Sequence, residues 1–237
     1  NHYVPKLILR KFDGKISTYN LQTKELKFNQ KLEKVFVAKK MYSKEIETML
    51  NEKVENEFAR VLNYKILRSS DECILSRQEV NLVKKFLVLA MLRTKDAEYF
   101  SGLKAEKSRE TVKKYYNFEE SAEIRSFSSF DYWMQTIRCI LETKSLFDVQ
   151  KNSRATAIAV YWASVFMSGY IAIWDSTISK EEFVIMDQGM TSEHEKTRFF
   201  PPLNDDMIKR GYLIEQLKNM KSVESSYNKN TILKYTQ

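Results

Sequence analysis

Only five glycines and three prolines interrupt 237 residues, and no other feature of the chain restricts its fold so tightly. Average usage is about 7% Gly and about 5% Pro, well above what this chain holds. A β-sandwich or barrel reverses direction often, and draws on Gly, Pro, Asn and Asp at each reversal. Long helices need few such residues. The scarcity therefore predicts a helix-dominated fold. Hydrophobic residues at 43% supply enough apolar surface for a packed core rather than a disordered chain.

Residue periodicity places the elements. Pro5 suits the first turn of a short helix over residues 5–12, and a β-hairpin is predicted over 15–28, turning around Gln22–Lys24. From Ser43, a plausible N-cap, Ile46, Leu50, Val54, Ala59, Val61, Leu62 and Ile66 approximate helical spacing through residue 68. Ser76-Arg77-Gln78-Glu79 matches a capping box and opens a helix over about 77–100. That helix carries two adjoining apolar stripes, one with Val80, Val83, Leu87, Ala90 and Thr94, the other with Leu82, Phe86, Leu89 and Arg93. It is predicted to be largely buried. Arg93 is the odd member: a buried guanidinium must be paired, or it costs several kcal/mol.

Residues 103–116 read as a charged, mostly exposed helix, and another begins near Ser128–Asp131 with Trp133, Ile137, Ile140 and Leu141 inward. Residues 155–174 run twenty positions without a charge, long enough to cross a bilayer. Thr156, Ser164, Ser168, Gly169 and a β-branched second half instead favour a buried helix running into a strand, with no membrane span. Residues 169–175 and 182–187 are predicted as an antiparallel strand pair, and 206–222 as a basic helix. The expected fold is α+β and helix-dominated, in one compact domain. It comprises a basic N-terminal segment (1–40), a helical core (43–168), the strand pair (169–190) and a basic helical tail (191–237).

Charge is unevenly spread. Residues 1–40 hold ten basic and three acidic side chains, a local +7 against +8 for the whole chain. Clustered positive charge favours a polyanion, RNA or single-stranded DNA among them; a solvated lysine-rich surface is the plainer reading. Two cysteines, Cys73 and Cys139, make no disulfide framework, and the opening residues lack a secretory pattern. Both point to the cytoplasm.

Several chemistries are excluded by absence. No glycine-rich phosphate loop, HExxH, paired CxxC or GxSxG motif occurs, and two histidines cannot build a histidine-rich metal site. What remains are polar residues at element ends or in apolar stripes: His2, Tyr3, Arg10, Tyr42, Arg93 and Asp187. A neutral imidazole at His2 can act as general base, and Arg10 and Arg93 can clamp a phosphate. His2, Arg93 and Asp187 are the catalytic candidates; Tyr3, Arg10 and Tyr42 would bind substrate. The plainer alternative pairs Arg93 with Asp187 as a buried structural ion pair. Asp187 with Glu193 and Glu195, which flank His194, could hold a divalent cation through oxygen ligands; otherwise that stretch is an exposed loop. Tyr115, Tyr116 and Phe118 beside Lys113 and Lys114 combine stacking rings with charge, although aromatics at helix ends more often serve the core.

The opening His2-Tyr3-Val4-Pro5, a Leu-Arg-x-Phe segment ending at Phe12 and a small hairpin resemble the uncharacterised family called domain of unknown function 4238. Met41-Tyr42-Ser43 before Ile46-Glu47, Leu92-Arg93-Thr94, and Phe183 to Gln188 are similar to its later motifs, over about residues 1–190. Lys95 stands where the family has Pro, and Ile185-Met186 and Gly189 replace its Thr-Ser and Pro. The resemblance implies a prokaryotic intracellular protein and brings no activity with it. Two functions are expected as alternatives: a phosphodiester-cleaving, ribonuclease-like effector of prokaryotic anti-phage defence, and a non-catalytic module that binds nucleic acid or a partner.

Overall fold

A computed structural model of the chain describes residues 2, 4–11, 15–20, 23–38, 41–68, 73–93, 103–168, 171, 192–193 and 198–199. Two units emerge: Lys40–Ile171, and His2–Lys39 with Ala172–Gln237. The expected helix dominance is present in the first.

In the N-terminal unit, α1 (Lys6–Leu9) follows Pro5, which supplies a helix-compatible φ of −57° without needing a backbone donor. Strands β1 (Lys15–Asn20) and β2 (Glu25–Lys31) form an antiparallel hairpin. The second strand runs further than the predicted residue 28, for a local reason. Asn29 takes a positive φ of 54°, and the register shifts by one between Ile16 and Thr18. This β-bulge absorbs an extra residue, so Gln30 and Lys31 resume pairing with Ile16 and Lys15. A two-stranded ribbon is marginal alone. Here Ile16 packs into a small core with Val4, Leu9 and Val35, against which Leu32 and Phe36 also lie.

The helical unit begins at Ser43, whose hydroxyl accepts the Ile46 N–H at 3.2 Å and caps α2 (Lys44–Leu50). Asn51–Glu55 then form a π-turn, α3 (Asn56–Val61) follows, and Leu62–Ile66 form a second π-turn. Backbone bonds from Asn56 to Asn51 and from Leu67 to Leu62 each span five residues. The sequence explains why. Ile46, Leu50, Val54, Phe58, Leu62 and Ile66 recur at every fourth residue, and all are buried. In an α-helix each residue turns about 100°, so five four-residue steps would carry the stripe about 200° around the axis. Each π-turn accommodates one extra residue and takes back about 100°. Two of them keep all six side chains facing the core. Phe58, stacked on Phe86 with centroids 3.7 Å apart, replaces Ala59 in the expected stripe.

The expected capping box opens α4 (Arg77–Leu92). Ser76 Oγ accepts from the Glu79 N–H, and the Glu79 carboxylate accepts from the Ser76 N–H and from Lys65 Nζ, both at 2.8 Å. Those donors, Lys65 foremost, hold the Glu79 carboxyl down at about 2. Helix α4 ends at Leu92; residues 94–100 of the expected helix lie outside the described residues. Next come α5 (Leu103–Tyr116), the short α6 (Ala122–Arg125), α7 (Ser129–Glu142) and α8 (Ala157–Ser168). Helix α8 packs against α4, α5 and α7, and Ala155, Ile158, Val160, Ala163 and Phe166 of the charge-free run are buried. No helix among the described residues is long and apolar enough to cross a membrane.

The expected strand pair over 169–175 and 182–187 and the expected helix over 206–222 lie outside the described residues, Ile171 apart. A short antiparallel ladder joins β3 (Ser192–Glu193) to β4 (Arg198–Phe199).

Candidate functional site

Two of the predicted site residues meet inside the helical unit. Arg93, the last residue of the α4 stripe, caps that helix and is 5% exposed. Its Nε and Nη2 donate to the Tyr42 hydroxyl at 3.2 and 2.8 Å, and its Nη1 donates to Glu55. The guanidinium carbon also lies 5.6 Å from the Tyr42 ring centroid. Burial works against the charge, but Glu55 and Tyr42 more than offset it and hold Arg93 above its ordinary value. Burial likewise raises Tyr42, so its hydroxyl remains protonated at neutral pH. The need for a partner was legible; the partner was not. Glu55 ends the first π-turn, and the strict four-residue apolar repeat is the signal that would have drawn attention to that turn.

The helical unit also holds a hub that the sequence did not reveal. Glu120, between α5 and α6, has a side chain only 1% exposed. It accepts from Arg109 Nε at 2.6 Å, from the Ala157 N–H at 2.5 Å and from the Tyr132 hydroxyl. One carboxylate thus ties α5 and α7 to the start of α8. Burial first, and then hydrogen bonding to Glu120, push the Tyr132 phenol well up. Further along α4, Lys85 is buried, and its ammonium donates to the Leu141 and Thr143 carbonyls at 3.2 and 2.7 Å. Its neighbour Lys84 donates to Met167 at 3.1 Å. Adjacent lysines therefore satisfy carbonyls at the ends of two different helices, where the helix dipole favours a cation.

His2 belongs to the N-terminal unit. It pairs with Val37 as an isolated antiparallel bridge, and its Nδ1 lies 3.1 Å from the Val35 carbonyl. A carbonyl only accepts, so Nδ1 carries the hydrogen and the lone pair of the neutral ring falls on Nε2. Partial burial first, and then Lys6, lower its pKa below 6.5. The ring is neutral at pH 7. Arg10 is exposed and caps α1. Tyr3, Asp187, His194 and Glu195 lie outside the described residues, and only the backbone of Glu193 is described. Glu55 is the carboxylate described on Arg93, and the expected pairing of Arg93 with Asp187 lies outside the described residues. Among the described residues no group of three or more His, Cys, Asp and Glu could hold a metal ion. Tyr115 and Tyr116 are 67% and 43% exposed, so they are not core side chains.

The family model described as protein of unknown function (DUF4238) matches residues 1–204. No curated protein and no solved structure matches the chain.

Proposed function

Since the chain belongs to the family described as protein of unknown function (DUF4238), whose description carries no activity, we propose from its own residues that it cleaves phosphodiester bonds in RNA. The observation that carries this reading is the setting of His2. Its Nδ1 is committed to the Val35 carbonyl, its proton affinity is lowered, and its surroundings are strongly basic. In this reading Nε2 removes the proton of a ribose 2′-hydroxyl, and the 2′-oxygen attacks the adjacent phosphorus. The bond from phosphorus to the 5′-oxygen breaks, and the leaving oxygen takes a proton from water. Products are a 2′,3′-cyclic phosphate and a 5′-hydroxyl. Arg10 and the lysines of residues 1–40 would draw the phosphates in. Arg93 is assigned no step, because Glu55 already neutralises it.

The test is cleavage of a mixed RNA oligonucleotide against its DNA counterpart, wild type against His2→Ala. RNA alone should be cut, and His2→Ala should slow cutting by about 10²- to 10⁴-fold. The rate should hold as pH falls through 6.5 and drop only below that, since His2 protonates below its ordinary value. Repeating the assay with EDTA separates this chemistry from a divalent cation held by Asp187, Glu193 and Glu195. DNA cut as fast as RNA would sink it. In the cell such an activity fits an effector of prokaryotic defence against phage, which plaque counts with wild type against His2→Ala would check.

A second reading, a non-catalytic module for nucleic acid or a partner, is favoured by the buried pairing of Arg93, which suits a keystone of the fold. Salt-dependent binding with no product would select it.

A further inference from the structure

We infer that the solvent face of the β1–β2 hairpin is a docking surface for single-stranded nucleic acid. The inference rests on the reading above that the N-terminal unit handles nucleic acid, and names where the strand would lie. Alternation along β1 sends Ile16 into the small core, and places Ser17 and Tyr19 on the opposite face. Leu26 faces Tyr19 across the ladder, and Phe28, two positions on, shares that side. Gln30 opposes Ile16, so Lys31 returns to the Phe28 face beyond the bulge. Phe28 is 55% exposed, while Tyr19 and Leu26 are half-buried beside it.

The charge around this apolar strip is unbalanced. Lys24 in the turn, Lys31 at the end of β2 and Lys34 in the turn that follows are all exposed. Among the described residues none of the three has a carboxylate within ion-pair reach; Lys27 alone pairs, with Glu25 at 3.2 Å. At ~3.3 Å per residue the path from Lys24 to Lys31 spans roughly 20 Å. A ring that accepts stacking, flanked by unpaired cations along an extended path, matches what single strands offer: exposed base faces and regularly spaced phosphates. A duplex offers the phosphates and hides the base faces. An anionic lipid surface offers charge with no ring to stack.

The experiment uses the full chain and fluorescence anisotropy with a labelled RNA of about 12 nucleotides, its DNA counterpart, and the RNA as a duplex. Vesicles of phosphatidylserine and phosphatidylcholine are the fourth probe. At ~50 mM salt the single strands should bind more tightly than the duplex. Phe28→Ala should weaken single-strand binding roughly ten-fold or more while melting like wild type, and Phe28→Trp should retain it. Combined Lys24→Glu, Lys31→Glu and Lys34→Glu should flatten the log–log salt slope by about 2, at ~0.7 per phosphate contact. Equal binding of duplex and single strand, Phe28→Ala binding as wild type, or binding to vesicles alone would each overturn the inference. Cleavage is scored separately. Binding that depends on Phe28, without cleavage, upholds the docking face and removes the nuclease reading. Cleavage indifferent to Phe28 and to the lysines does the reverse.

Discussion

Lys40–Ile171 and the N-terminal residues 2–39 handle charge in opposite ways. Among the described residues of the helical unit the charged groups at 6% exposure or less, Arg93, Glu120 and Lys85, each meet designated partners: Glu55 and Tyr42, Arg109 and Tyr132, and two helix-end carbonyls. In the N-terminal segment Lys24, Lys31 and Lys34 are exposed, and among the described residues none of them forms an ion pair. Buried groups must be matched, because desolvating a charge costs several kcal/mol unless geometry compensates. Exposed lysines require nothing for folding. The contrast teaches that the buried charges of the first unit serve architecture, whereas the exposed lysines of the hairpin are not required by the fold.

The strongest way to break that comparison is at Glu120. Glu120→Ala should strand the Ala157 N–H, the Tyr132 hydroxyl and the Arg109 charge together. Losing one member of a buried charged set costs about 3–5 kcal/mol, and domains of this size have about 5–15 in total. Thermal melting followed by circular dichroism should show Tm lower by about 10 °C or more. A Tm within a few degrees of wild type would mean the hub is not structural.

Next in size is Arg93. Arg93→Ala should cost about 3 kcal/mol by leaving the half-buried Glu55 without its cation. The double variant Arg93→Met with Glu55→Leu should recover much of that loss, because neither charge is then buried. If the two losses simply add, the pair is not coupled, and Arg93 has a task elsewhere.

How much of this could be read from residues alone depended on distance along the chain. The caps at Ser43 and Ser76 were legible because they join residues three apart. Arg93 was legible as a need, since a lone guanidinium broke an apolar stripe. Its partner was not, because Glu55 lies 38 residues away and reaches it through a π-turn. Glu120 sits in Glu119-Glu120-Ser121, which reads as a solvated loop, and is buried only because α5, α7 and α8 meet around it. The bulge at Asn29, which lengthens β2, carries no glycine to announce it. His2 was picked out for its rarity, and the structure adds the tautomer.

Lys85 gives a pH-dependent effect of similar or smaller size. Burial first, and then Lys53, bring its pKa down to about 8 from 10.5. The unfolded chain keeps that proton up to about 10.5 while the folded one releases it near 8, so unfolding takes up a proton between those values. Stability should therefore rise with pH there, by at most on the order of 3 kcal/mol. Cys139 opposes this from pH 9 upward, because burial pushes its thiol up to about 12 from 9.0. Urea titrations should show the rise between pH 8 and 9 in wild type, extending to higher pH in Cys139→Ala. In Lys85→Met the rise should be absent; if it persists there, another group is responsible.

The smallest effect sharpens the comparison most. Glu25 and Lys27 form an ion pair on the hairpin with side chains 56% and 54% exposed. Exposed pairs contribute about 0–1 kcal/mol, so Glu25→Gln should leave Tm nearly unchanged. The same substitution releases Lys27 and raises the local positive charge by one. If the N-terminal charge serves a partner, Glu25→Gln should bind single-stranded RNA more tightly, with the log–log salt slope steeper by about 0.7. The mirror experiment is Glu57→Gln, which breaks the exposed 2.7 Å pair with Arg60 in the helical unit. It too should leave Tm nearly unchanged, and it should not alter the salt slope. Equal slopes in both variants would erase the distinction between the two regions.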